Sequence, residues 1–392
     1  MAGPLAGVKI LDFTRYQQGP YATVMLSDLG ATVLKVEPRE GDPGRSLGLK
    51  PDGWCAYFEA HDRNKRSITI DVRKPEGKAI VYKLVQEYDV VTDNFRPSVM
   101  KRLGLDYDTL CKINPGVITA TATGFGPEGP YAHRPSFDSI GQAMGGIMSV
   151  QGGGPDEPPE DVMGGLADQV GAMVFALGIS SAIIARERQG VGQHVDVSLF
   201  GSQLALQTYQ LTGMMRDGSQ HRTPHRLMPT FTYYPCQDGK YLSLGILIPK
   251  WWEALCRVLD REELIRDERF EDAHRRQRNR EALLAELDAA FQQRPRDEWL
   301  ALLMEADVPC GPVNDYAALV TEPQALENGY IASIEHPSLG SVGVVGSPIK
   351  MTKTPAGPVA CAPELGQHTE EVLLDLGYDW AAIERLKVAE VI

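Results

Sequence analysis

The sequence predicts an α/β fold in which a doubly wound parallel sheet is followed by a smaller α+β region. Three observations carry that prediction. Short β-rich runs alternate with helical patterns up to Thr123, a polar stretch containing His and Pro (Asp217–Pro229) interrupts the chain, and a hairpin signal with helical patterns follows it. A chain of 392 residues also defaults to two domains rather than one core.

The elements read in order as follows. VKILDF (Val8–Phe13) is a strand pattern, Tyr21–Leu29 a helix stopped at Gly30, and TVLKVE (Thr32–Glu37) a second strand closed by Pro38, which together make a βαβ unit. SITIDV (Ser67–Val72), a helix from Pro75 to Glu87, DVVTD (Asp89–Asp93) and VITATAT (Val117–Thr123) continue the alternation. Val150–Gly165 is loop by composition, and the uncharged run Val170–Ala185 reads as a buried helix. Gly190–Leu199 and a long helical pattern through Met215 follow. Beyond the break, Phe231–Cys236 and Lys240–Leu247 form a hairpin closed by Asp238-Gly239. Helices are predicted at Lys250–Leu259, Arg275–Phe291 and Pro295–Ala306, with RRQRNR (Arg275–Arg280) on a solvated face, and Cys310-Gly311-Pro312 breaks the pattern. From Asn328 the chain is β-like again, and a helical tail begins at Gly366.

Bulk composition narrows the function. A net charge of −13 argues against general nucleic-acid binding or binding to an acidic membrane, though a local basic pocket stays compatible with it. The six cysteines are scattered, with no C-x-x-C pair and no zinc spacing, as expected of reduced thiols in a cytoplasmic protein without a metal site. MAGPLAGVKILDF enters a strand pattern at once and is not expected to be a signal peptide. Val170–Ala185 falls short of the roughly 20 residues that span a bilayer, so no membrane association is expected.

A strand ending in Glu37 invites a dinucleotide reading, with that acid on a ribose. The turn after the first strand, TRYQQGPYATVMLSDLGA, has no G-x-G-x-x-G, and no GxxxxGK[ST] occurs anywhere. The fold class survives this test and the dinucleotide function does not.

The stretch Arg134–Arg188 carries the chemistry. Asp138 in RPSFDSIGQAMGG and Asp168 in GGLADQVGAMVFALGISSAIIARER sit among glycines and apolar residues. Asp168 directly precedes a long apolar helix, where a carboxylate is a helix cap or a reacting group; on residue type alone the cap is the commoner reading.

VKILDFTRYQQGPYATVMLSDLGATVLKVEP, NKRSITIDVRKPEGK, TDNFRPSVMKRLGLDY, TGFGPEGPYAHRPSFDSIGQAMGG, GLADQVGA, GQHVDVSLF and PELGQHTEEVL occur in that order. Together they resemble the class III CoA-transferase family, which also includes formyl-CoA transferases, carnitine CoA-transferases and α-methylacyl-CoA racemases, over nearly the whole chain. The resemblance implies a Rossmann-like large domain (1–216), a small α+β domain with linkers (217–327), a C-terminal return completing the large domain (328–392), and an interlocked homodimer. It makes Asp168 the nucleophile, forming a mixed anhydride and then an aspartyl-CoA thioester, with Gln17 facing the acyl centre. Coenzyme A, bound as an acyl-CoA, would run past Arg15, Tyr16, Asn94 and Phe95, with Arg39, Arg73 and Arg102 meeting its phosphates. Tyr57, Phe137 and Asp138 would line the substrate pocket. The partners implied are an acyl-CoA, a carboxylic acid and a second copy of the chain.

Two features depart from the family pattern. Asp62 stands where members often carry Asn, and RTPHRLMPT occupies the region of an active-site glycine loop. The racemases place a histidine before the acid of the upstream element; here that position is Phe137, which cannot move a proton, leaving His133 as the nearest imidazole in sequence. A racemase, or a catalytically silent CoA-binding protein, is the alternative reading.

Overall fold

The computed structural model describes residues 2–218 and 225–392. Six parallel strands make the main sheet: β1 (Lys9–Asp12), β2 (Thr32–Glu37), β3 (Arg66–Thr69), β4 (Val90–Asp93), β5 (Ile118–Thr123) and β6 (His194–Ser198), in the order β3-β2-β1-β4-β5-β6. All five strands and both helices read from the sequence up to Thr123 are present within a few residues. The order reverses direction between β1 and β4, so a crevice opens there at the carboxyl ends of the strands.

The helices that matter for the site are α1 (Gln18–Asp28), α2 (Ala56–Asp62), α3 (Pro75–Val85), α4 (Asp138–Met144), α5 (Leu166–Gln189), α6 (Leu199–Leu206) and α7 (Thr208–Asp217). One sheet face packs Leu11, Leu34 and Ile68 against Ile80 and Val81 of α3 and Val372, Leu373 and Ile383 of the C-terminal helices. The other packs Ile10, Val33, Ile118 and Ala120 against Ala22 and Leu26 of α1 and Phe175 and Ile179 of α5. Gly171 allows this contact, because a Cβ there would collide with the Gln18 amide.

The chain divides into two compact units. One comprises Met1–Gln151, Pro159–Gln220 and Pro323–Ile392; the other comprises Gly152–Pro158 and His221–Glu322. The second unit holds a three-stranded antiparallel sheet, β7 (Tyr233–Pro235), β8 (Tyr241–Leu244) and β9 (Cys310–Pro312), over a core that includes Trp252, Phe270, Phe291 and Trp299. A hairpin, β10 (Ile331–His336) with β11 (Gly340–Val345), belongs to the first unit.

Several expectations change. Cys310-Gly311-Pro312 is an edge strand paired with β8, a place where proline is tolerated because its missing N–H faces no neighbour. The long helices are each broken, at Gln207 and at Asn279, where side-chain amides bond nearby carbonyls and compete with the helix. Arg276 is buried rather than solvated, lying over Trp252 and donating to the Phe270 carbonyl. Helix α5 is buried on one face only: Met173 is 54% and Leu177 66% exposed. Of RTPHRLMPT, residues 222–224 lie outside the described residues.

A buried charge network joins the elements at the crevice. Lys65 Nζ lies 2.9 Å from Asp12 and 2.8 Å from Asp62, while Lys35 Nζ lies 2.7 Å from Asp42 and 3.0 Å from Asp62. All five side chains are essentially inaccessible. Despite burial, the two lysines and two threonine hydroxyls bring Asp12 down to about 2. Asp62, the departure from the family's Asn, supplies the charge that both lysines share. Replacing Lys65 with Met strands Asp12 without its cation and is expected to cost about 3–5 kcal/mol. Chemical denaturation followed by circular dichroism measures that loss; a change under 1 kcal/mol would show the network to be dispensable.

Candidate active site

The crevice is built from segments that leave the carboxyl ends of neighbouring strands. Arg15, Tyr16 and Gln17 follow β1, Arg39 follows β2, Arg73 follows β3, and Asn94 and Phe95 follow β4, all on one edge because the strands are parallel. The Asn94 side chain clamps the first of these segments, accepting from the Arg15 N–H at 2.9 Å and donating to the Arg15 carbonyl at 2.7 Å. The Arg15 guanidinium sits 5.3 Å from the Phe95 ring centre. Tyr16 adopts a left-handed conformation (φ 65°), a strained state for a tyrosine, and its N–H reaches Asp42 of the buried network. The network therefore holds the loop that presents Gln17.

Gln17 reaches the start of α5. Its amide donates to the Gly164 carbonyl at 3.3 Å, and Gly165 (φ 77°) is the residue that lets the two approach, since a Cβ would strike that amide.

Asp168 lies in the first turn of α5, two residues past its first helical residue, and makes no capping bond. The cap comes from Asp138 instead. Asp138 Oδ1 accepts from the N–H groups of Ala167 at 2.7 Å and Asp168 at 3.1 Å, while Oδ2 accepts from the Gln142 amide at 2.6 Å. Buried Gln142 also exchanges two bonds with the Val162 backbone, tying α4 to the segment entering α5. This arrangement reverses the cap reading of Asp168, because the Ala167 and Asp168 N–H groups are already bonded to Asp138.

The Asp168 carboxyl is raised to about 7, first by burial and then by the charge of Asp138. A helix N-terminus favours the ionised form of a carboxyl, and these two effects outweigh it. Tyr57 of α2 stands close enough to feel Asp168: burial first, then the Asp168 charge, keeps its hydroxyl protonated above the usual range. Phe137, 59% exposed, packs edge-on against Tyr16 with ring centres 5.5 Å apart.

Asp168, Asp138, Gln17, Tyr16, Tyr57 and Phe137 are thus brought together, with Arg15, Asn94 and Phe95 on the adjoining loops. The three proposed phosphate arginines are not gathered with them. Arg39 pairs with Glu390 at 3.2 Å, and exposed Arg73 is held by both oxygens of Asp71. Arg102 is exposed on the helix Val99–Leu103. Glu37, the ribose candidate, is spent internally on Arg45, Ser67 and the Asp42 N–H.

A cavity of about 600 Å³ opens between Gln17, Tyr57, Gly165 and Gln169, and Tyr21, Trp54 and His61 also line it. Sequence reasoning missed these last residues and Gln169. The available signal was the i, i+4 spacing of Tyr57 and His61, hidden because α2 is a seven-residue helix not recognised in the chain.

The raised Asp168 pKa has a stability consequence. Between the ordinary carboxyl value of 3.8 and about 7, the folded state holds a proton that the unfolded chain has released. The stabilisation is complete below pH 3.8 and is lost as pH rises through 7. Relative to Asp168→Asn, the parent protein should therefore lose melting temperature between pH 5 and pH 8, and Asp138→Asn should shift that loss to lower pH. Parallel curves for parent and Asp168→Asn would contradict the assignment.

A family model described as CoA-transferase family III matches residues 5–369. The chain is similar to succinyl-CoA:glutarate CoA-transferase of Mus musculus, at 35% identity over 99% of this chain and 90% of that protein. It is 38% identical to acetyl-CoA:oxalate CoA-transferase of Acetobacter aceti, over 89% of this chain and 90% of that protein. Among solved structures, a CAIB/BAIF family protein from Brucella suis superposes with a TM-score of 0.86 at 34% identity, covering 96% of this chain and 100% of the other.

Proposed function

This chain belongs to CoA-transferase family III, and from that premise we propose that it carries coenzyme A from an acyl-CoA donor to a carboxylic acid acceptor on its own Asp168. The observation that carries the reading is a desolvated carboxyl, free of capping duty, at the start of α5 beside Gln17 and Tyr57. Such a carboxylate is poorly solvated by water and correspondingly reactive toward a thioester.

The cycle balances through four displacements. An Asp168 oxygen attacks the thioester carbon, the C–S bond breaks, and CoA thiolate leaves behind an acyl-aspartyl anhydride. The thiolate attacks the Asp168 carboxyl carbon and releases the first acid as its carboxylate, leaving an aspartyl-CoA thioester. The incoming carboxylate attacks that carbon and frees the thiolate again as a second anhydride forms. Attack of the thiolate on the new acyl carbon then regenerates Asp168 and yields the new acyl-CoA. No net proton or electron is consumed.

In this scheme Asp138 fixes the first turn of α5 and raises the Asp168 pKa, Gln17 holds the Gly164–Gly165 entry, and Tyr57 faces the reacting end. Arg15, Asn94 and Phe95 lie along the coenzyme path at the crevice. Arg39, Arg73 and Arg102 would serve its phosphates only on leaving or sharing their present surroundings. Phe137 supports transfer over racemisation, because an aromatic ring stands where a second acid/base would be required.

We also place the enzyme in the cytoplasm, consistent with six unbridged cysteines, and as a homodimer. The exposed apolar stripe of Met173, Leu177 and Ile184 along α5 supports the dimer, since a contiguous apolar face of that kind marks an interface.

Asp168→Ala should lower transfer between acetyl- or succinyl-CoA and any accepted acid by about 10³-fold or more. Mass spectrometry of the parent incubated with acyl-CoA should find the CoA adduct on the Asp168 peptide; full activity in the variant rejects the mechanism. Sedimentation should find two chains per particle, and Leu177→Glu should shift that population toward one; an unchanged distribution would place the interface elsewhere.

A further inference from the structure

The first turns of α1 and α5 meet through two glutamines and two glycines. Gln17 places its amide at Gly165, and Gln18 places its own at Gly171, where a Cβ would come within 2.6 Å of the Gln18 Nε2. Asp168 lies midway between those glycines in the chain, three residues from each. Residues three apart on a helix are neighbours on one face, with about 5–6 Å between their Cβ positions. The Gln18 amide therefore sits one turn along α5 from the Asp168 side chain.

The amides around the site differ in what they bond. Gln17 donates to the Gly164 carbonyl, Asn94 to the Arg15 carbonyl and Gln142 to Asp138. Gln18 is 5% exposed, its Nε2 is closed to solvent, and no acceptor reaches that nitrogen among the described residues. Buried donors are nearly always paired, so an idle one beside a reacting group points to an acceptor that arises during the reaction. The resting Asp168 carboxyl is not that acceptor, since only burial and the Asp138 charge shift it and no hydrogen bond contributes.

The chemistry proposed for Asp168 creates the acceptor. When CoA thiolate attacks the Asp168 carboxyl carbon of the anhydride, a C–S bond forms and the C=O electron pair moves onto the Asp168 oxygen. This oxyanion collapses as the bond to the first acid breaks, and that acid leaves as its carboxylate. The incoming acid attacking the thioester forms an oxyanion on the same atom, which collapses by expelling the thiolate. A donor idle at rest and engaged only by that oxygen lowers the barrier without stabilising the ground state.

We infer that Gln18 is a catalytic residue, whose Nε2–H turns from Gly171 by a side-chain rotation and donates to the oxyanion formed on Asp168 itself. The inference rests on the transferase reading of Asp168. It adds a division of labour: Gln17 holds the Gly164–Gly165 entry, and Gln18 serves the two steps at the aspartyl carbon.

Gln18→Met tests it, because methionine keeps the length of the side chain and removes its amide. For transfer from acetyl- or succinyl-CoA, kcat should fall about 100-fold while KM for either substrate stays within about threefold. The melting temperature should hold or rise, since an unpaired buried donor has gone. In quenched samples without an acceptor acid, mass spectrometry should find the CoA adduct on the Asp168 peptide forming about 100-fold more slowly in the variant than in the parent. Unchanged kcat and adduct rate in Gln18→Met overturn the proposal, as does a loss of activity that tracks a lowered melting temperature. Failure of the transferase reading shows differently: the parent itself would then form no adduct, and both assignments fall together.

Discussion

Five buried charges hold this active site in place. Asp12 ends β1, Lys35 lies on β2, Asp42 begins the turn after it, Asp62 ends α2 and Lys65 precedes β3; none is accessible to solvent. Each charge would be costly alone, so the elements carrying them can only fold in the relative positions that pair them. The hydroxyls of Thr14 and Thr23 and the carbonyls of Thr14 and Pro20 take up the remaining bonding capacity. Three acids against two lysines leave the cluster with one excess negative charge, which the two hydroxyl donors help to stabilise.

The site inherits its geometry from this cluster. Asp42 turns from Lys35 to the Tyr16 N–H, so the strained loop carrying Gln17 is fixed to the sheet rather than to solvent. Asp62 closes the helix that carries both Tyr57 and His61. The same segment thus connects the buried network with the neighbourhood of Asp168 and with the cavity wall. The site itself uses the opposite electrostatics: where Asp12 is paired and held low, Asp168 is buried beside another carboxylate and held high. A paired carboxylate keeps its charge, whereas an unpaired, desolvated one takes up a proton more readily.

Asp138 illustrates why residue types alone left the two acids ambiguous. Both stand near helix starts, and either could have been a cap. The structure gives Asp138 the capping bonds on a helix other than its own, across 30 residues of chain. Nothing in local sequence encodes that exchange, because it depends on α4 lying against the start of α5. The broken helices at Gln207 and Asn279 have a similar origin in amides that find carbonyls brought near by folding.

Residue order was enough to show the alternation of strands and helices, the absence of the dinucleotide fingerprint, the hairpin at Asp238-Gly239 and the family blocks around Asp168. These are local properties: periodicity, turn chemistry and residue identity act over a few positions. Only the fold settles that Asp138 rather than Asp168 caps α5, that the Asp168 pKa is raised to about 7, that Glu37 is an internal anchor, that α5 leaves an apolar stripe exposed, and that Tyr57 and His61 line one cavity. Those outcomes depend on which distant groups meet and on how much water remains between them. The strength of a charge or a hydrogen bond is set by that surrounding medium, and a linear sequence does not specify it.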